Sequence, residues 1–246
     1  MSTPPPLEAA PGVPGWYGKV ASLGDFAQRR LPPEWLRACE DWLSLALPGA
    51  REALGERWLA AYLNAPLLRF GWAPGVIDRR WWFGLLMPSC DNVGRYYPLL
   101  LAQPREQAPR DRIALDHLER WFEHLAAAAM QTLDDQRGSV DTLETALLDA
   151  PPWPTPGRAG TLASETREGS AHHRLGHAAP LSHWLHTLAV QEFADRLAGC
   201  TLWWRVTPEG ASDALDIVHG LPDGPAFAAL LTGSPAPADR PTPRSR

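Results

Sequence analysis

Hydrophobic positions recur along this chain with two alternating periods. From Pro33 onward, Trp35, Cys39, Trp42 and Ala46 return at helical spacing, flanked by Leu36, Leu43 and Leu47. This predicts an amphipathic helix opened by Pro33-Glu34 and ended by Pro48-Gly49. A second helix is predicted from about residue 51 to 63, with Leu54, Trp58 and Ala61 on one face. The period then changes. Runs at 67–73, 81–87 and 96–102 read as strands, as does 16–20 near the start. In the middle run Trp81, Phe83, Leu85 and Met87 form one alternating set and Trp82 and Leu86 the other, so both faces are apolar and the strand should be central. In 67–73, Leu68, Phe70 and Trp72 alternate with Arg69 and Gly71, which places that strand nearer an edge. Short connections favour an antiparallel meander over parallel crossovers.

Further along, Leu115, Leu118, Phe122, Leu125 and Ala129 predict a long helix over 113–134, followed by a shorter one over 140–148. A helix over 181–197, strands at 201–206 and 214–218 and a last helix over 223–231 complete the pattern. Residues 151–176 hold Pro, Gly, Ser and Thr without periodicity and read as a long surface loop rather than a boundary. Residues 1–14 and 233–246 are Pro-rich and read as flexible tails. The expectation is one α+β domain over 15–232, a mostly antiparallel sheet flanked by helices on both faces, in a profilin-like or longin-like arrangement.

Composition narrows the classes. A chain of 246 residues can bury roughly 70–75% of its unfolded surface. Its 12 Trp suit a large aromatic core. With 23 basic and 28 acidic residues the net charge is −5, which gives no electrostatic reason to expect nucleic acid or an anionic membrane. Lys19 is the single lysine among the basic residues, a preference for Arg that looks like coding bias. Cys39, Cys90 and Cys200 are widely spaced and odd in number, as expected in a reducing cytoplasm. No run approaches 18 apolar residues and the N-terminus lacks a signal-peptide pattern, so neither secretion nor membrane insertion is expected.

Candidate chemistry is sparse. His172, His173, His177, His183 and His186 cluster in sequence, and His173 and His177 have i, i+4 spacing, but no Glu lies within the pair and Gly169 and Gly176 oppose a rigid helix, so no metal is expected. Neither Ser22 nor Ser89 sits in a Gly-x-Ser-x-Gly elbow, and the glycines from Gly15 to Gly24 fit no phosphate-binding pattern. No catalytic residue, cofactor or small-molecule substrate is therefore expected. Trp153, between prolines, is either an exposed interface anchor or a loop staple.

Two turn-forming blocks stand out. In the first, Gly15-Trp16-Tyr17-Gly18-Lys19 leads into Ser22-Leu23-Gly24-Asp25-Phe26, where Gly18 and Gly24 can adopt positive φ and Ser22 and Asp25 can bond nearby N–H groups. In the second, a strand stops at Pro88, turns through Ser89, Asp91, Asn92 and Gly94, and restarts at Tyr96. Asp25, Asp91 and Arg95 form the group of most interest. They either share a polar docking surface or fix the turns, with Arg95 as the forked donor that satisfies a carboxylate.

These blocks, together with Leu31-Pro32, Ala73-Pro74-Gly75-Val76, Trp82-x-Gly84-Leu85 and Pro88-Ser89-x-Asp91-x-Val93-Gly94-Arg95-x-Tyr97-Pro98-Leu99, resemble the N-terminal region of the TagF family of bacterial type VI secretion. The likeness is dense over 15–102 and thinner at Leu202-Trp203-Trp204 and Gly220-Leu221-Pro222, and Ala21 stands where the family pattern has proline. The resemblance implies a cytoplasmic, non-enzymatic repressor that acts after translation by binding the forkhead-associated scaffold protein of the apparatus. The two blocks supply Tyr17, Gly18, Ser22, Gly24, Asp25, Ser89, Asp91, Gly94 and Arg95 as candidates for a structural or partner-binding role, and the proline-flanked Trp153 is a further candidate on its own sequence context. An assembly chaperone or adaptor, or an enzyme with an Asp/Arg/His site, are the alternatives.

Overall fold

A computed structural model describes residues 12–109, 112–134, 138–152, 163–167, 170–174, 181–205 and 214–233. Residues 1–11 and 234–246 of the tails lie outside the described residues, as does Trp153. So do the side chains of the five clustered histidines.

Seven antiparallel strands form one sheet: β1 (Gly15–Gly18), β2 (Ala27–Arg29), β3 (Leu68–Trp72), β4 (Trp81–Met87), β5 (Leu99–Arg105), β8 (Cys200–Arg205) and β9 (Leu215–His219). Their spatial order is β2-β1-β5-β4-β3-β8-β9. The expected meander is present, with Trp72 opposite Trp82 across β3 and β4 and Met87 opposite Leu99 across β4 and β5. Every residue of β4 is buried, as its two apolar sets require.

Helices cover both faces, so the chain is a single α+β domain. On one face α1 (Pro33–Leu54), α2 (Trp58–Leu63) and α6 (Gly224–Thr232) enclose Trp35, Trp42, Phe70, Trp72, Trp82, Trp203 and Phe227. The rings interlock: Trp35 stacks on Trp72 at 5.6 Å, while Trp42 meets Trp72 and Phe227 edge-on at 5.9 and 5.7 Å. The other face is covered by α3 (Arg112–Gln131) and α4 (Val140–Leu148) over Trp16, Phe83, Leu85 and Leu101, and there Leu197 of α5 (Leu181–Leu197) joins the core. Ser139 caps α4 through the N–H of Thr142, and Asp223 caps α6 through the N–H of Ala226.

Three expectations need correction. Pro48-Gly49 does not end the first helix, which continues to Leu54. A Cβ on Gly49 would lie 2.9 Å from the backbone of Gly224, so the glycine permits α1 and α6 to cross closely, and that packing outweighs the local helix-breaking tendency. β3 is an interior strand, because the β8–β9 hairpin extends the sheet beyond it. Buried Arg69 is accommodated there by an ion pair with Glu119 and by the Phe122 ring 5.1 Å away, and Gly71 lies beneath Phe83. Within 151–176, β6 (Ala163–Arg167) and β7 (Ser170–Arg174) pair as a separate two-stranded hairpin.

One polar clasp joins the first strands to the second helical layer. Glu144 of α4 accepts from both Nη atoms of Arg30, at 2.5 and 2.9 Å, and from Trp16 Nε1 at 2.5 Å. Arg30 Nε donates to the Pro14 carbonyl. These bonds hold Arg30 at φ 59°, a left-handed conformation that costs a non-glycine residue about 1 kcal/mol.

The ring network makes the core sensitive to truncation. Trp42→Ala and Trp82→Ala should each lower the unfolding free energy by about 3–5 kcal/mol. Denaturant titration checks this, and unchanged midpoints for both variants would refute the assignment of these rings to the core.

Candidate functional site

The two turn blocks meet at one end of the sheet, where β1 ends, β4 ends and β5 begins. Gly18 is opposite Leu99 at that end and has φ 134°. A Cβ there would fall 2.1 Å from the Pro98 carbonyl oxygen, so only glycine allows the two backbones to approach. Beyond Pro88 the chain forms a tight hairpin. Cys90 bridges to Tyr96, Asp91 N–H donates to the Arg95 carbonyl at 3.1 Å, and Gly94 N–H donates to the Asp91 carbonyl at 3.0 Å. The first block is tied to it by Asn92 N–H donating to the Leu23 carbonyl at 3.2 Å.

Asp91 organises the junction. Its carboxylate is fully buried, and each oxygen accepts two hydrogen bonds. Oδ2 accepts from Lys19 Nζ and from Arg95 Nε, both at 2.6 Å. Oδ1 accepts from the N–H groups of Arg95 at 2.8 Å and Val93 at 3.1 Å. Burial opposes the charged form, but Lys19 and the donors from Arg95 and Val93 outweigh it and hold the carboxyl well below the usual carboxylate range. With both oxygens engaged, this carboxylate is a structural anchor and not an available base. Ser89 extends the network: Oγ donates to the Lys19 carbonyl at 2.8 Å, while its N–H donates to Tyr62 Oη, which in turn donates to the Ser89 carbonyl.

Above this buried layer lies an aromatic and cationic rim. The Phe26 ring meets Tyr97 edge-on at 4.7 Å, and Lys19 Nζ sits 4.9 Å from its centroid. Tyr17 and Tyr97 share a hydroxyl contact of 3.2 Å. Burial pushes the Tyr17 phenol up to about 12, the Tyr97 hydrogen bond opposes that rise, and nearby Glu40 adds to it. Arg95 lies across the junction and donates from Nη2 to the Gly24 carbonyl at 2.6 Å. Its side chain is 57% exposed, beside Val93 at 67%, Phe26 at 46% and Tyr96 at 41%. Among the described residues no group of three His, Cys, Asp or Glu side chains is placed to hold a metal ion.

The structure thus gathers Tyr17, Gly18, Ser89, Asp91, Gly94 and Arg95. Gly24 joins through its carbonyl, without the positive φ expected of it. Asp25 is not part of the cluster: it is exposed, and its Oδ1 accepts from the adjacent Phe26 N–H. Ser22 is also exposed and takes no part in these contacts. Sequence reasoning missed Lys19 and Tyr62. The signal for Lys19 was its uniqueness, since a chain that otherwise uses Arg retains one compact ammonium where a buried carboxylate requires a point charge.

Residues 15–150, more than half of the chain, match the family described as the TagF N-terminal domain, type VI secretion system-associated. Among solved structures the chain is similar to the crystal structure of PA0076 from Pseudomonas aeruginosa PAO1. The TM-score is 0.70 and the identity 31%, with 90% of this chain and 95% of that one covered. None of the curated proteins matches. Both turn blocks lie within the matched residues.

Loss of Lys19 should be more damaging than loss of Arg95, because Lys19 is the sealed partner. Lys19→Met should lower the thermal midpoint by roughly 6–20 °C and Arg95→Gln by less, as scanning calorimetry would show. An unchanged midpoint for Lys19→Met would refute the anchoring role. The pH dependence has two limbs. The depressed Asp91 carboxyl confers stability above the usual carboxylate range that is lost as the pH falls through its folded value. The raised Tyr17 phenol confers stability below about pH 10 that is lost as the pH climbs toward about 12. Unfolding free energies measured from pH 2 to 12 should fall at both ends, and a Tyr17→Phe variant should have the shallower alkaline limb.

Proposed function

The chain belongs to the family of TagF N-terminal domains associated with type VI secretion, and on that premise we propose that it restrains the secretion apparatus after translation by binding another protein. The partner is the forkhead-associated scaffold component of the apparatus, and the encounter takes place in the cytoplasm. One observation carries the reading. The two turn blocks, far apart in sequence, converge on a single tip whose interior is locked by the Lys19–Asp91 pair and whose exterior presents Phe26, Val93, Arg95 and Tyr96. A locked interior favours binding because little side-chain or loop freedom remains to be lost when a partner docks. The saturated hydrogen bonding of Asp91 suits a recognition surface better than acid-base catalysis.

Deletion of the gene should raise the amount of secretion substrate in the culture supernatant, and the full chain supplied in trans should restore restraint. The purified chain should retain the purified scaffold protein in a pull-down. A fall in secretion on deletion would refute repression and favour an assembly chaperone or adaptor.

A further inference from the structure

The charges of the ion-pair network do not cancel. Lys19 and Arg95 both pair with the single carboxylate of Asp91, so these three side chains together carry one net positive charge. Lys19 is buried and cannot present it, whereas Arg95 is exposed. Asp25, which follows the Gly24 whose carbonyl accepts from Arg95, is exposed and forms no ion pair with Arg95, and its Oδ1 accepts from the Phe26 N–H. The guanidinium donates through Nε to Asp91 and through Nη2 to Gly24, and Nη1 is bonded to no described residue. An exposed guanidinium therefore belongs to the same two turns as the exposed side chains of Phe26, Val93 and Tyr96.

We infer that this tip is the face that engages the partner, and that it takes an acidic protein segment with an apolar side chain beside its carboxylate. The inference rests on the functional reading above and specifies its chemistry. A forked guanidinium held by two bonds matches a carboxylate in position and charge. The apolar neighbours exclude water from the contact and strengthen it. The chain carries a net charge of −5, so much of its surface disfavours an acidic partner and the attraction is focused on the tip.

The test is titration calorimetry of the full chain against the purified scaffold protein at 50 and 300 mM NaCl. Val93→Asp, Val93→Arg and Arg95→Gln are compared with wild type after thermal midpoints confirm folding. Val93 contributes only a backbone N–H to the Asp91 network, so both of its variants keep that bond. Val93→Asp should weaken binding about tenfold, and Val93→Arg should preserve or tighten it about threefold at low salt. Wild-type affinity should fall as salt rises, and Arg95→Gln should flatten that dependence. Equal weakening by Val93→Asp and Val93→Arg would overturn the acidic assignment. Loss of binding after phosphatase treatment of the scaffold would do so as well, since the anion would then be a phosphate. Binding indifferent to all three variants would overturn the surface while leaving the functional reading intact. Failure of the wild-type chain to bind at either salt would overturn that reading together with the occupant.

Discussion

Burial of one carboxylate dictates how this end of the sheet is built. An isolated ionised group in the interior is too costly to persist, so Asp91 requires donors on both oxygens and a cation beside it. Meeting that requirement ties the hairpin to a segment far away in sequence: the Val93 and Arg95 backbone of the hairpin itself bonds Asp91, Lys19 reaches it from the end of β1, and the Arg95 side chain reaches back to Gly24. Gly18 belongs to the same junction, since its missing Cβ lets β1 lie close against Pro98 immediately before Lys19. Ser89 and Tyr62 then fix the near side of the hairpin to α2. The ion pair adds to the backbone bonds within the hairpin and to the Asn92–Leu23 bond, which together hold this short turn in one conformation.

The rest of the molecule supplies a rigid support for that turn. β4 ends and β5 begins beneath it, and both are covered on each face by helices. Fully buried rings in the α1 layer, among them Trp35, Trp72, Trp82 and Trp203, each remove roughly 150–250 Å² from water. That burial stabilises the sheet from which the hairpin emerges. The Glu144 clasp acts at the opposite end of β1, where Trp16 and Arg30 bind the first strands to α4. β1 is thus held at both ends by polar contacts and along its length by pairing with β5.

Much of this was legible in the sequence because periodicity reports burial. The doubly apolar run of β4, the Leu118–Phe122–Leu125 stripe of α3 and the bounds of α4 all follow from spacing alone. What was not legible depended on distant partners. Pro48-Gly49 looks like a terminator until Gly224 is placed against it. Arg69 and Gly71 look like edge residues until Glu119, Phe122 and the β8 strand surround them. Asp25 and Asp91 look equivalent, as acidic residues in polar turns, yet one is exposed and the other sealed. Local pattern could not separate them, because the difference lies in Lys19, a residue 72 positions from Asp91.

The ion pair matters more for conformation than for stability. Replacing a buried pair with well-packed apolar residues is often neutral or stabilising, so net energy alone is a weak reason to retain Lys19 and Asp91. An apolar pair would not, however, orient anything. Oδ2 of Asp91 fixes Arg95 Nε at the same time as it fixes Lys19, and the two backbone bonds to Oδ1 set the hairpin curvature that exposes Val93. The buried charge therefore determines the direction of the exposed one. That coupling joins the sealed acid and the displayed cation, four residues apart in one turn: the buried anchor and the exposed guanidinium are the two ends of a single hydrogen-bond network.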